Sequence, residues 1–260
     1  MNKKITAFIV LILAIVTMVY SGGQLIAAEQ VDQESNAVYE DLSNRVKKHT
    51  AVDPVTTQAS IERQPEIYAK VYIPEIGINF DILKTINKDA AAWLYCPDTV
   101  IDYPVMKADD YAYYLNHLPD GTYNVNGSLF IDYNCAPDFS DPLTIIYGHH
   151  MKSGSMFGSL KGYKEQKYFD EHPYMYLYTE HGNYRIDILY GCLIGAGQWR
   201  DRAFMYKENL DALIAYAAQN TTFESNTVYF EGDKVVAMST CSYEFEDARY
   251  VVIGILRGEY

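Results

Sequence analysis

The sequence predicts a mainly β domain, closed as a barrel, behind an N-terminal helix. Three observations point there. From Tyr68 onward the chain breaks into short apolar runs divided by Pro, Gly and Asp, a spacing shared by sandwiches and barrels, of which we take the barrel. The 25 tyrosines and 10 phenylalanines, with β-branched runs among them, fit half-buried pleated surfaces. Only one later segment, Asn209 to Asn220, has clear helical spacing, with Leu210, Leu213, Ile214 and Ala217 on one stripe.

The N-terminus stands apart from that domain. Lys3 and Lys4 precede an apolar run from Ile5 to Tyr20, and apolar character resumes from Leu25 to Ala28. A helix needs about 20 apolar residues to cross a bilayer, so the run with its extension is adequate. A cleaved secretory signal is the rival, with small residues at Ser21 and Gly23 or at Ala27 and Ala28. We read residues 1–28 as an uncleaved, single-pass anchor in the cell membrane. The two lysines then stay in the cytoplasm and the rest of the chain lies outside the cell. Residues 29–65 are polar, with Val38, Leu42 and Val46 at four-residue spacing before Pro54 and Pro65, which reads as a helical spacer. Residues 66–260, close to 200 in number, are enough for one well-buried domain.

Within that domain the strand-like runs are YAKVYIPEIGINFDIL, WLYCPDTVIDYPVM, GSLFIDY, LTIIYG, YMYLYTE and YRIDILYGCLI, and then VVAMSTCSYEFEDARYVVIGIL from Val235 to Leu256. The last of these organises the rest. It reads as an apolar strand ending at Cys241, a polar loop from Ser242 to Ala248 and a second strand beginning with Arg249, which is a β-hairpin. Pairing of the two strands would set the thiol and the guanidinium opposite each other, roughly 5 Å apart between backbones.

Most free cysteines are small buried hydrophobes. Cys241 instead follows Ser239 and Thr240 and precedes a loop with Glu244, Glu246 and Asp247, so exposure and a reactive thiol are expected. A second chemical stretch is LTIIYGHHMKSGSMFGSL, residues 143–160, where a strand turns at Gly148 and two histidines follow. Neighbours on a strand face opposite ways, so only one of His149 and His150 is expected in a cleft. His49, His117, His172 and His181 sit in polar or turn-like contexts and are read as solvated. Cys96, Cys135, Cys192 and Cys241 form no CxxC pair and have no histidine at ligand spacing. Neither a metal site nor a dense disulfide scaffold is indicated, and no cofactor is expected. The net charge of −13 disfavours nucleic acid as a partner.

Taken together, these residues resemble the class B sortases. The similarity lies in STC followed by Arg eight positions on (Cys241, Arg249), YGHH (His149), IDYPVM at 101–106, YYLNH at 113–117 and GSLFIDY at 127–133, and spans roughly residues 66–260. Met238 stands where that family often has leucine. The resemblance implies an eight-stranded β-barrel with a helix inserted before the cysteine strand. It implies the activity of a membrane-anchored cysteine transpeptidase of Gram-positive bacteria, which cuts a C-terminal sorting signal of secreted proteins after Thr. A thioacyl-enzyme then passes the acyl group to a peptidoglycan precursor amine. It also implies Cys241 as nucleophile, His149 as acid and base, and Arg249 as holder of the oxyanion or of the signal's backbone carbonyls. Leu115, Ser239 and Thr240 are expected to bind the peptide.

Two other classes are weighed against this. A papain-type hydrolase places its cysteine on an early helix, before the histidine, and the order here is reversed. A non-catalytic exported barrel that binds surface proteins would leave Cys241 structural, and thiol labelling separates that case.

Overall fold

The computed structural model describes residues 3–47, 71–200 and 209–258. Eight strands close into a barrel: β1 (Ala90–Tyr95), β2 (Asp102–Met106), β3 (Leu129–Ile131), β4 (Leu143–Tyr147), β5 (Tyr174–Thr179), β6 (Gly182–Gly195), β7 (Val235–Cys241) and β8 (Ala248–Gly258). The order around the barrel is β1-β2-β3-β4-β7-β8-β6-β5, with β5 returning to β1. The β2–β3 and β4–β7 pairs are parallel and the others antiparallel. Closure leaves no free sheet edge, which suits a chain so rich in strand-forming residues.

The two-residue period of the strands sorts side chains into an interior and an outer layer. Val236 and Met238 of β7 point inward with Ile131, Ile146, Leu177 and Val252. Val235 and Ala237 point outward and pack with Leu143, Ile145, Val251 and Ile253 against two helices, α4 (Ala196–Arg200) and α5 (Leu210–Asn220). Buried faces on both sides explain why β7 and β8 read as continuous apolar runs rather than alternating ones. Helix α5 is the one the sequence spacing predicts, and it buries Leu210, Leu213 and Ala217. Leu213 is fully buried, a contribution of about 1.5–3 kcal/mol that an aspartate there would forfeit.

At the N-terminus, α1 (Lys3–Val46) is a single helix. Its residues 11–20 are exposed along their whole length, while Ser35, Tyr39, Leu42 and Val46 are buried. Tyr39 joins the barrel interior cluster, and Leu42 and Val46 pack with Trp93, Phe130 and Tyr178 on the outer wall. The stripe seen at Val38, Leu42 and Val46 is thus the face that docks on the barrel. Residues 48–65 of the expected spacer lie outside the described residues.

Four local expectations change. The run expected as strand at 68–83 has residues 68–70 outside the described residues, and the rest is not a strand: residues 71–79 make only an isolated bridge, Lys47 with Ile78, and α2 (Phe80–Ile86) is helical. Asn79 caps that helix, its side-chain oxygen accepting from the Ile82 amide at 3.0 Å, and an Asn before an acidic first turn outweighs the β propensity around it. The run at 93–106 is two strands, because residues 96–101 turn between β1 and β2. A 3₁₀ stretch, Phe157–Lys164, and a short helix, α3 (Gln166–Glu171), follow the histidines where no helix is expected from the sequence. In the last hairpin β8 begins at Ala248, one residue early, after Asp247 turns the backbone at φ 58°.

Candidate active site

The hairpin register pairs Cys241 with Arg249 across β7 and β8. Strand alternation from Val235 and Ala237 places Ser239 and Cys241 on the outer face. By the same count Arg249 follows Val251 and Ile253, and Tyr147 follows Leu143 and Ile145. Tyr147 is the neighbour of Ser239 in the parallel β4–β7 ladder. One end of the outer face therefore gathers a thiol, a guanidinium, a hydroxyl and a phenol. Helix α4 flanks them with Trp199, and the result is a cavity of about 260 Å³. Leu115, His149, Ser239, Thr240, Cys241 and Arg249 all line it. Every site residue expected from the sequence is brought to one place.

Gly148 explains how the first histidine gets there. A Cβ at that position would sit 2.4 Å from Leu129 Cδ2 and 2.7 Å from Phe157 Cδ2, so only glycine lets the chain leave β4 against those side chains. His149 then faces the cavity, and its Nε2 lies 2.7 Å from the backbone oxygen of Leu115. A carbonyl only accepts, so Nε2 is the donor in this hydrogen bond. His150 does not line the cavity: its Nδ1 lies 2.7 Å from the Cys241 backbone oxygen and its ring meets Tyr243 edge-on at 5.0 Å. The two histidines part as expected, although both lie past the end of β4, where His150 forms an isolated antiparallel bridge with Met156.

Arg249 donates from one guanidinium nitrogen to the Ala248 carbonyl at 3.0 Å. Among the described residues it makes no ion pair with Glu244, Glu246 or Asp247. Glu244 is engaged elsewhere, by Lys164 and by Ser242. Burial raises the Glu244 carboxyl, but the hydrogen bonds from Lys164 and Ser242 outweigh it and bring its pKa down to about 2. Lys164 also reaches the Ser242 hydroxyl at 3.0 Å and lies over the Tyr250 ring, so the residues directly after the thiol are tied to the 3₁₀ stretch.

All four thiols are free, and they differ in setting. Burial pushes Cys96 and Cys135 up to about 11 and Cys192 up to about 12. Cys241 is the one partly exposed thiol. It is therefore the accessible thiol.

Sequence reasoning missed part of the wall. Tyr111, Phe130, Tyr147 and Trp199 also line the cavity, and Tyr111 and Tyr147 donate to the same oxygen of the buried Asp132, at 3.0 and 3.1 Å. Burial first, and then the Asp132 charge, push the Tyr147 phenol far above its ordinary value, so it stays a donor. In the sequence Tyr147 precedes the GHH motif and Asp132 lies in GSLFIDY, but nothing local ties one to the other.

A partly exposed cysteine at a strand end, with an arginine as its cross-strand partner and a glycine-preceded histidine on the same cavity, defines a cysteine transferase or hydrolase on a β-barrel. No family model matches the chain. It is 33% identical to sortase B of Listeria monocytogenes over 178 residues, which is 67% of this chain and 72% of that relative. It is also similar to the crystal structure of a Bacillus anthracis protein described as similar to sortase B, with TM-score 0.69 and 26% identity over 88% of this chain and 98% of that one. A Streptococcus pyogenes class B sortase involved in pilus biogenesis matches with TM-score 0.62 and 28% identity over 70% of this chain and 99% of that one. The chain belongs to the class B sortases, and it is a cysteine transpeptidase.

Proposed function

We propose that Cys241, His149 and Arg249 carry the transpeptidation and that Leu115, Ser239 and Thr240 bind the sorting signal. The observation that carries this reading is the cross-strand pairing of Cys241 with Arg249 on the cavity that His149 also lines. The Cys241 thiolate attacks the carbonyl carbon of the signal's Thr; a C–S bond forms and the carbonyl π pair moves to oxygen. Arg249, opposite the thiol, supplies fixed donors to that oxyanion. Collapse breaks the C–N bond, and the His149 imidazolium gives its proton to the departing amine. An incoming amine then attacks the thioester, His149 takes its proton, and the thiolate leaves. The net change is one amide exchanged for another.

A Staphylococcus aureus sortase B has been solved as a substrate complex, and a sortase B has been solved with triglycine. Their chemistry supports the same pair of partners here: a secreted protein with a C-terminal sorting signal, and a peptidoglycan precursor amine as acceptor. Residues 1–28 are assigned as a single-pass membrane anchor, residues 29–65 as the connection whose helical part docks on the barrel, and residues 66–260 as the catalytic domain on the outer side. The exposed apolar helix with two lysines ahead of it supports that assignment. The full chain in detergent, incubated with a library of sorting-signal peptides and candidate amines, tests the function by mass spectrometry. The expected product is the peptide cut after Thr and joined to the amine; products lacking that junction in every combination would reject it.

A further inference from the structure

Helix α1 leads directly from its apolar segment onto the barrel. That segment ends at Ala28, and three residues later, about 4.5 Å along the axis, the Val31 carbonyl accepts a hydrogen bond from Asn124 Nδ2 at 3.2 Å. Asp32 accepts one from Asn126 Nδ2 at 2.8 Å. Further up the helix, Tyr39 donates to the Gly127 carbonyl at 2.8 Å. From Gly127 to Asn124 the chain therefore descends α1 towards its apolar end. The polar layer on each side of a bilayer is roughly 5–8 Å thick, so Val31 falls within it, and tilting of the helix only brings it lower.

Two apolar side chains flank Asn124 at this level, and both face solvent: Tyr123 is 67% exposed and Val125 53%. The segment is held rather than loose. Asn124 N donates to the Asn116 carbonyl at 2.9 Å, His117 and Tyr123 form an antiparallel bridge, and the His117 ring lies edge-on to Tyr123 and stacked on Tyr113 at 3.9 Å.

We propose that residues 123–126 are a membrane seat, with Tyr123 and Val125 set into the headgroup layer of the bilayer that α1 crosses. The proposal rests on reading residues 1–28 as an uncleaved span. Tyrosine has the chemistry for this layer, a ring that leaves water and a hydroxyl that keeps it. The seat also bears on the active site. Ser128 N donates to the Tyr114 carbonyl at 2.9 Å, so the seated segment is continuous with the turn whose Leu115 carbonyl holds His149. Seating fixes the height of the cavity above the membrane.

The test uses the full chain in phosphatidylcholine nanodiscs and tryptophan fluorescence quenched by lipids spin-labelled either at the headgroup or deep in the acyl chain. The parent's Trp93 and Trp199 are buried and give the baseline. Tyr123→Trp and, as an independent second variant, Val125→Trp should be quenched several-fold more by the headgroup label than by the deep one. Met18→Trp, within the apolar run and 76% exposed, should show the reverse order. Deep quenching of Met18→Trp with no headgroup quenching of Tyr123→Trp and Val125→Trp overturns the seat and leaves the span standing. No quenching in any of the three overturns the span and the seat with it.

Discussion

His150 Nδ1 lies 2.7 Å from the backbone oxygen of Cys241, while its neighbour His149 is bonded through Nε2 to the backbone oxygen of Leu115, also at 2.7 Å. The consecutive histidines thus hold different parts of the site. One fixes the strand end that carries the thiol, and the other is itself fixed by the turn that lines the cavity. Among the described residues neither is bonded to a carboxylate; each meets a backbone carbonyl instead.

The two roles predict different losses. His149→Ala removes the proton carrier and should lower turnover by about 10² to 10⁴. His150→Ala removes one hydrogen bond to the nucleophile's backbone, worth about 0.5–1.5 kcal/mol, and should lower turnover by no more than about tenfold. His150→Asn, which keeps a donor near Nδ1, should recover part of that loss. Steady-state kinetics checks the ranking, and a larger loss for His150→Ala than for His149→Ala would reverse the assignment.

Arg249 sits opposite Cys241 without an ion pair to its loop carboxylates, so its charge alone does not account for its position. Lysine offers a point charge where arginine offers a planar fork. Arg249→Lys should keep the melting temperature, leave Cys241 open to alkylation, and lower turnover by at least about 10², the cost of one oxyanion donor elsewhere. Near-normal turnover in that variant would return Arg249 to a structural role.

Local pattern and long-range contact divide what the sequence revealed. The hairpin was legible because turn residues separate two apolar runs, and antiparallel register then brings Cys241 to Arg249. Gly148 and His149 were legible as a strand exit, although the reason for the glycine, the nearness of Leu129 and Phe157, needs the packed structure. Tyr147 and Asp132 meet only because β3 and β4 pair. Trp199 reaches the cavity from a five-residue helix too short to show a period. Residues 80–83 read as the end of a strand-like run because a seven-residue helix carries little periodicity, and the Asn79 cap is the local signal that points the other way.

Thiol chemistry should single out Cys241. With pKa values of about 11 to 12, Cys96, Cys135 and Cys192 hold about 10⁻⁴ or less of their thiol as thiolate at pH 7, and burial hides them as well. Iodoacetamide should label one site per native chain and four in denaturant, by mass spectrometry. Cys241→Ala should abolish native labelling and peptide cleavage while keeping the fold. Essential activity at any of the other three would remove Cys241 from its role.

The Lys164, Ser242 and Glu244 contacts give an acid limb to stability. The Glu244 pKa falls from 4.5 to about 2 on folding, so its contribution is complete above about 4.5 and is lost as pH falls through about 2. Its side chain is 39% exposed, which keeps the effect small and sensitive to salt. Glu244→Gln should lower the melting temperature at pH 7, with the difference narrowing between pH 4.5 and 2 and in 1 M salt. A difference that does not change with pH would show that the carboxylate charge is not what holds the loop.

The two hydroxyls before the thiol give the most discriminating test of the binding surface. Ser239 Oγ and Thr240 Oγ1 are buried, at 1% and 2% residue exposure, and neither has a hydrogen-bond partner among the described residues. Such a group costs about 1–3 kcal/mol, so a fold optimised only for stability would place an apolar side chain there. Both residues line the cavity, where a peptide's backbone amides and carbonyls could complete their bonding. Thr240→Val keeps the shape and removes the unmet hydroxyl. It should raise the melting temperature by about 2–4 °C per kcal/mol recovered and at the same time raise KM for the sorting-signal peptide. Ser239→Ala should move both quantities the same way. A gain in stability with unchanged KM would mean that the hydroxyls do not meet the substrate, and a loss of stability would mean that they are satisfied in the free enzyme.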